Sequence, residues 1–207
     1  MRIHILSCLA VLTGSLSLPG VGLAADTSPE VPKEVAALVG TYSGSWKSFG
    51  IDAQGQVVER TAWTDTVKAE RPVREANRAW VATETVMIFA GREGAPFKLP
   101  GKEGYDLNQD GTLGEYFIET FGQTYRMHKL APDIWTYATD APPQELAQLG
   151  FPKGTTGRHV VVKVVSHEAG VETHRISRVT TVSWRDKDGK ERWLQFVSLQ
   201  GHHKKDA

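Results

Sequence analysis

The chain has 207 residues, and its 24 Lys and Arg residues are balanced by 24 Asp and Glu residues. Without a basic excess to neutralise phosphates, the composition argues against nucleic acid as a partner. The only cysteine is Cys8, so the rest of the chain has no thiol for a disulfide or a thiolate metal site.

The first segment has the pattern of a secretory signal peptide. Arg2 precedes a mostly apolar run over residues 3–18, which is followed by helix breakers and by small residues suited to cleavage. The run is short and polar for a transmembrane helix, and an uncleaved anchor is the alternative. We predict that residues 1–25 are removed, that residues 26–207 form a single domain, and that the mature protein is periplasmic or extracellular.

Two short helices are predicted outside a long series of strands. The first covers Lys33 to Val39, because prolines precede it and Gly40 stands where helices commonly end. The second lies within the segment from Asp140 to Gly150, which has an Asp cap, early prolines and a terminal glycine.

The rest of the chain alternates Val, Thr and aromatic residues between turn residues, which predicts strands. Evenly spaced strands with short turns favour a closed antiparallel meander, which leaves no exposed edge. We therefore predict an all-β fold, an up-and-down barrel of about ten strands with a short N-terminal helix and one short inserted helix. The predicted strands are Tyr42–Phe49, Gln56–Ala69, Ala79–Phe89, Glu103–Leu107, Thr112–Phe121, Gln123–Lys129, Asp133–Thr139, Arg158–His167, Val171–Trp184 and Lys190–Gln200.

One connection is unusually long. The segment from Ala90 to Lys102 contains three glycines and two prolines, which argue against regular structure, together with Phe97 and Leu99. In a ten-strand meander the odd-numbered connections share one rim, so this loop and the insertion at residues 140–157 are expected over the same mouth. The first helix is then a plug at the opposite end. This arrangement predicts contact between Phe97 or Leu99 and residues 146–151.

Three short segments carry a family resemblance. They are Leu38-Val39-Gly40-x-Tyr42-x-Gly44-x-Trp46, then Gly104-Tyr105-Asp106 before a turn and an aromatic strand, and a closing hairpin Trp184–Phe196. Together they resemble the calycin-like bacterial domains, in the style of lipocalins and nitrobindins, over most of the mature chain. The resemblance implies a barrel with an interior cavity for an apolar or aromatic ligand. Those families favour Trp two residues after the opening glycine, where this chain has Tyr42.

In nitrobindins a histidine near the end of the chain holds haem iron. His202 and His203 lie near the end here, within Gly-His-His-Lys-Lys and beyond the last predicted strand residue, Gln200. Neither maps onto the family ligand, so we predict no cofactor and keep haem as the alternative.

Six tryptophans lie in predicted strands. Aromatic side chains bury large areas and favour strands, so each of them suits the core. As a group they also suit a small-molecule cavity, which is typically apolar with a few polar groups. The predicted ligand-binding residues are Trp46, Trp63, Trp80, Phe97, Leu99, Tyr105, Phe121 and Trp135.

Two motifs suggest metals. If residues 169–170 form a two-residue turn, His167 pairs with Glu172, and His174 lies diagonally across on the same face. That set suits zinc or another divalent metal. Alternate valines over residues 160–164 occupy the other face, which we expect to point inward. The His face also carries Lys163 and Arg178, so we predict a solvated surface cluster.

Asp106-x-Asn108-x-Asp110-Gly111 matches the first half of a calcium loop. Phe117 stands where the bidentate Glu belongs, so we interpret the motif as a hairpin turn whose side chains bond their own backbone.

Acid–base residues are few. His128 shares a strand face with Arg126, and Asp65, Glu70 and Glu84 lie on neighbouring predicted strands. None has a diagnostic spacing, so no catalytic residue is predicted.

We therefore expect a secreted or periplasmic barrel that binds a small apolar or aromatic ligand without catalysis. One alternative is a small barrel enzyme, of isomerase or cyclase type, with a buried ionisable group whose pKa is shifted. Another is a protein-interaction module with a filled interior. Neither oligomeric state nor ligand identity follows from the sequence.

Overall fold

The computed structural model describes residues 30–91 and 94–206. One compact unit covers Val31–Ala207. The predicted signal peptide, residues 1–25, lies outside the described residues. In the part of the chain that is described, every helix is too short or too polar to cross a membrane.

Ten antiparallel strands close into a barrel within the described residues, which confirms the predicted fold class. Each strand pairs with the next, and the last pairs with the first. In chain order the elements are α1 (Lys33–Ala36), β1 (Gly40–Ile51), β2 (Val57–Arg74), β3 (Arg78–Phe89), β4 (Phe97–Leu107), β5 (Leu113–Thr120), β6 (Gln123–Ala131), β7 (Ile134–Asp140), α2 (Pro143–Gln148), β8 (Thr156–Glu168), β9 (Val171–Arg185) and β10 (Glu191–Lys205).

The closing strand is longer than predicted. β10 continues past Gln200 and pairs with β1 from Leu199 as far as Lys205. The expectation that the Gly-His-His-Lys-Lys segment lies beyond the strand is therefore wrong. The segment is polar throughout, so its strand alternation is not evident from the sequence. His203 lies directly opposite Gly44, on the inner face.

The expected irregular loop is also shorter than predicted, because Phe97–Gly101 already pairs with β3. Pairing between β4 and β5 begins only at Lys102. Pro100 therefore lies in a stretch bonded on one side only, where a missing N–H is tolerated. The connection between β3 and β4 shrinks to residues 90–96.

Each end of the barrel carries one helix. At the α1 rim, where β1 begins, Val35 of α1 is fully buried among residues of β1, β2 and β3. At the opposite α2 rim, apolar residues of α2 and the segment after it pack on the ends of β1, β9 and β10. The members of that second cluster are Ile51, Ala141, Leu146, Leu149, Phe151, Val182 and Phe196.

The two insertions share the α2 rim, as the strand count requires, but they cover different sectors of it. Phe97 stacks on Phe121, with ring centroids 6.4 Å apart. Leu146 and Phe151 instead pack on β1, β9 and β10. The contact expected between these two groups is not found among the described residues, so α2 covers only the sector of the rim near β1, β9 and β10.

Candidate functional site

An internal cavity of about 420 Å³ lies inside the barrel. It reaches the α2 rim beside Leu99, Thr120 and Phe121, in the sector that α2 leaves uncovered. Its volume falls in the range typical of small-molecule sites. Its apolar and aromatic lining residues are Tyr42, Trp46, Trp63, Val67, Ala69, Met87, Leu99, Ile118, Phe121, Tyr125, Met127, Tyr137, Val161, Ile176 and Leu199.

A second depression, of about 1160 Å³, crosses the outer faces of β9, β10, β1 and β2. Outward side chains such as Lys47, Thr64, Arg175 and Lys204 line it. It is broad and open to solvent, whereas a small-molecule site encloses most of its ligand. The internal cavity is therefore the candidate site.

Two tryptophans form one wall of the cavity. Trp46 on β1 and Trp63 on β2 are register partners, and their rings stack nearly parallel, with centroids 6.0 Å apart. Gly201 on β10 lies opposite Trp46, and a Cβ added there meets the indole ring at 2.3 Å. The glycine is therefore required for Trp46 to lie flat against the wall.

Gly44 makes room for a polar pair in the same way. It pairs with Asp65 on β2 and with His203 on β10, so both side chains reach across the glycine. The imidazole Nε2 lies 2.9 Å from the carboxylate Oδ1. A Cβ at Gly44 meets the two side chains at 2.3 and 2.6 Å, so substitution by Ala breaks the pair.

A second polar group crosses the interior. Lys163 on β8 contacts Glu103 on β4 with Nζ 2.8 Å from Oε1, and Tyr116 on β5 bonds to both. Burial alone raises the pKa of Glu103, but the Lys163 ammonium and the hydrogen bonds outweigh it and lower this pKa to about 2. Burial and the Glu103 charge raise the pKa of Tyr116 well above its usual range. Glu103 is therefore a carboxylate at neutral pH, with Tyr116 as a neutral donor to it.

The predicted cluster at the end of β8 and β9 exists, but it lies partly inside the barrel, because His174 is buried while the His167 side chain is 60% exposed. His167 pairs with Glu172 as expected, and Glu172 lies 3.5 Å from His167 and 2.6 Å from the buried His174. Burial and the Lys163 charge lower the pKa of His174 to about 4. The expectation of a solvated exterior face is wrong for His174, because the lumen of this barrel holds paired charges. No set of residues suited to a metal is found in the described chain.

A third polar group links the cavity to α2. Arg178 on β9 lines the cavity and contacts Glu145 of α2, with Nη1 2.5 Å from Oε1. Buried His159 lies 3.3 Å from the other carboxylate oxygen and 2.8 Å from the Thr180 hydroxyl. Burial tends to raise the pKa of Glu145, but His159 and Arg178 lower it overall.

Four of the eight predicted ligand residues line the cavity, and four do not. Those that line it are Trp46, Trp63, Leu99 and Phe121. Trp80 alternates with buried Ala79 and Val81, so it points outward, and the Lys102 ammonium lies 4.4 Å from its ring centre. Tyr105 and Trp135 pack in apolar clusters, and Phe97 is half-exposed beside the mouth.

Of the four candidate acid–base residues, one faces the cavity and three are exposed. Asp65 is buried and faces the cavity. His128 lies on the exposed outer face, 2.9 Å from Glu115. Glu70 and Glu84 are exposed, and both lie beside lysines. The enzyme alternative, which needs a buried ionisable group such as His128 or a strand carboxylate, therefore gains no support from His128, Glu70 or Glu84.

The calcium-like motif is a hairpin turn, as interpreted from the sequence. The Asn108 N–H donates to the carbonyl of Thr112, and Asp110 accepts from both the backbone N–H and the hydroxyl of Thr112. Asp106 is held between Arg78 and Arg126, at 2.8 and 2.9 Å.

The sequence reasoning missed Lys163, Glu103 and His203 as cavity residues. The signal for Lys163 was present, because it has the same strand parity as His167 and lies opposite an apolar row. His203 follows from the same alternation once β10 is extended. Glu103 has no local signal, because its partner lies 60 positions away in the chain.

Comparison of this chain with protein-family models, with curated proteins and with solved structures gives no match.

Proposed function

We propose that this chain is a calycin-like barrel, exported from the cytoplasm, that binds one small, neutral, apolar or aromatic molecule in its interior without acting on it chemically. The observation that carries the proposal is the internal cavity of about 420 Å³ with the stacked pair Trp46–Trp63 in its wall. An open cavity of this kind favours a binding protein over an interaction module with a filled core.

The charges along the cavity favour a neutral ligand. Each basic side chain that lines it near the centre has a carboxylate partner: Lys163 has Glu103, Arg178 has Glu145, and His203 has Asp65. At the border, the Lys102 ammonium lies 4.4 Å from the ring centre of the outward-pointing Trp80 and so is directed away from the interior. A charged ligand therefore has to be buried against groups that are already paired, which is costly.

The pKa shifts favour binding over catalysis. A general acid or base works best with a pKa near the operating pH. The pKa of Glu103 falls to about 2, that of His174 falls to about 4, and that of Tyr116 rises. All three pKa values move further from pH 7. This is expected of groups whose protonation state stays fixed and stabilises the structure.

A fluorescent probe tests the proposal. N-phenyl-1-naphthylamine is neutral and apolar, and it brightens when it leaves water. We expect saturable binding by the purified protein. The substitution Thr85→Phe, on an inward position of β3 that lines the cavity, should weaken it by at least about tenfold, or about 1.4 kcal/mol.

Thr66 provides the matched control. It is an exposed residue on the adjacent strand, in register with Val86 and outside the cavity. Thr66→Phe adds the same apolar ring and should leave binding unchanged. Equal affinity in both variants would place the probe elsewhere and refute the proposed site. Native mass spectrometry of protein from its own host, before and after denaturation, should then reveal a retained neutral molecule.

Export is a separate part of the proposal and rests on the sequence pattern of residues 1–25. N-terminal sequencing of the protein from its own host should begin at Ala25 or Asp26. A chain that begins at Met1 in the cytoplasmic fraction would contradict it.

A further inference from the structure

The Lys163 ammonium has an unused hydrogen-bond donor. An ammonium group offers three N–H donors. Two of them are used, by Glu103 and by the Tyr116 hydroxyl, and no partner for the third is found among the described residues. The side chain is only 4% exposed and lines the cavity. A buried donor without a partner costs free energy, so a ligand oxygen at this position gains by accepting from it.

Two further donors are buried in another wall of the barrel, on β1 and β2. The indole nitrogens of Trp46 and Trp63 are buried, and within the described chain neither has a hydrogen-bond partner. Both side chains line the cavity. An indole N–H can only donate. Both nitrogens have essentially no accessible surface, however, so a ligand in the cavity cannot accept from them, and the Lys163 ammonium is the donor on which the class of ligand depends.

The acceptor must also be uncharged. Glu103 already neutralises Lys163 and shares Tyr116 with it. A ligand carboxylate would place a second anion beside the first, with no additional cation to offset its desolvation. A neutral carbonyl oxygen accepts the third N–H without that penalty.

From this geometry we infer that the ligand of the proposed cavity is a neutral ketone-type molecule, apolar apart from a carbonyl oxygen that accepts a hydrogen bond from Lys163. The inference rests on the proposed function and specifies the class of ligand. The carbonyl lies at the α1 end of the cavity, where Lys163 crosses to Glu103, and the apolar body extends toward the mouth beside Leu99 and Phe121.

A matched pair of probes tests the inference. 2-Acetylnaphthalene and 2-isopropenylnaphthalene are close in size and overall shape, and differ by a carbonyl oxygen in place of a CH₂ group. 2-Naphthoate supplies the anionic analogue. Dissociation constants are measured by equilibrium dialysis against the full protein. We expect 2-acetylnaphthalene to bind at least as tightly as the alkene, and 2-naphthoate to bind at least about tenfold more weakly than the ketone.

The double substitution Lys163→Met with Glu103→Leu removes the donor and its counter-charge together. It should reduce the preference for ketone over alkene by about tenfold, the effect of one hydrogen bond from a charged donor. The control is Lys47→Met with Glu59→Leu, which removes an exposed pair of the same residue types that also joins two strands. It should leave the preference unchanged.

Infrared spectroscopy of bound 2-acetylnaphthalene keeps the test independent of whether the double variant folds. A hydrogen bond from the ammonium shifts the carbonyl band of the ketone to lower frequency than in an apolar solvent. An unshifted band in the wild-type protein would overturn the inference.

The outcomes separate the two proposals. If both naphthalenes bind and the double variant keeps the same preference, the cavity binds neutral ligands but Lys163 does not select them, and only the inference fails. If 2-naphthoate binds most tightly, the ligand is an anion and the inference fails. If neither neutral probe binds, the proposed function fails with it.

Discussion

The ion pairs Lys163–Glu103 and Arg178–Glu145 both reach the cavity, but they join different kinds of element. The first connects β8 with β4 across the interior, so both partners are held by strands that are paired on both sides. The second connects β9 with α2, a helix of six residues. One pair ties two walls of the barrel together, and the other holds a cap on its rim.

The Lys163–Glu103 pair is also more deeply buried than the Arg178–Glu145 pair. Lys163 and Glu103 are 4% and 20% exposed, whereas Arg178 and Glu145 are 17% and 29% exposed. A charge left alone in the interior cannot regain water, while one beneath a short helix can do so if the helix lifts. Loss of a partner should therefore destabilise the whole barrel in the first case and open a local segment in the second.

The largest effect is expected from Lys163→Met. It leaves the Glu103 carboxylate buried without its cation, which should lower the free energy of unfolding by about 3–5 kcal/mol. Adding Glu103→Leu removes the unpaired carboxylate and should restore most of the lost free energy of unfolding. Denaturant unfolding of the single and double variants measures both.

Lys47→Met is the control for the loss of a lysine from an ion pair between strands. Its pair with Glu59 is exposed, so the change should stay below about 1 kcal/mol. If the double variant is no more stable than Lys163→Met alone, then packing rather than the unpaired charge accounts for the loss.

A smaller effect, of order 3 kcal/mol, should appear as pH dependence from His174. Its pKa is about 4 in the folded protein against a reference value of 6.5, so the unfolded chain binds more protons between those values. The destabilisation that His174 contributes is therefore absent above about pH 6.5 and grows as the pH drops toward 4. The groups that face this ring include Tyr42, Glu172, Lys163 and Glu103.

The substitution His174→Gln isolates this contribution. Denaturant unfolding at pH 7 and at pH 4.5 should show a smaller loss on acidification in the variant than in the wild type. Glu103 contributes mainly below about pH 4.5, as the pH falls toward its folded pKa of about 2, so it hardly affects this comparison. If the wild type and the variant lose the same free energy of unfolding between pH 7 and pH 4.5, His174 is not the source of the pH dependence.

The contrast between the two ion pairs also shows how far the sequence predicts the structure. Alternation and turn residues predicted ten strands, the closed meander and the pairing of His167 with Glu172. They placed Lys163, His174 and Arg178 on one face of the sheet. The direction of that face was wrong, because alternate valines over residues 160–164 usually mark the core.

Which face of the sheet points into the barrel was not predictable here, because it depends on partners that are distant in the chain. Lys163 is acceptable inside the barrel only because Glu103 lies on another wall, and Arg178 only because α2 supplies Glu145. The position of the Trp46 ring was not predictable for the same reason, since it depends on Gly201 of β10. Local pattern fixes which residues share a face, and long-range pairing decides whether that face is inside.

The smallest effect is expected at the cap. Glu145→Gln removes the charge that α2 presents to Arg178 and His159, while apolar contacts of Leu146 and Leu149 still hold the helix. Global stability should fall by only about 1 kcal/mol. Amide hydrogen exchange over residues 141–155 should accelerate by about tenfold with the barrel strands unaffected, because the helix can open by itself. Gln144→Ala, at an exposed position of the same helix, should change neither quantity. Uniform acceleration across β8 and β9 would instead mean that the cap and the wall open as one cooperative unit.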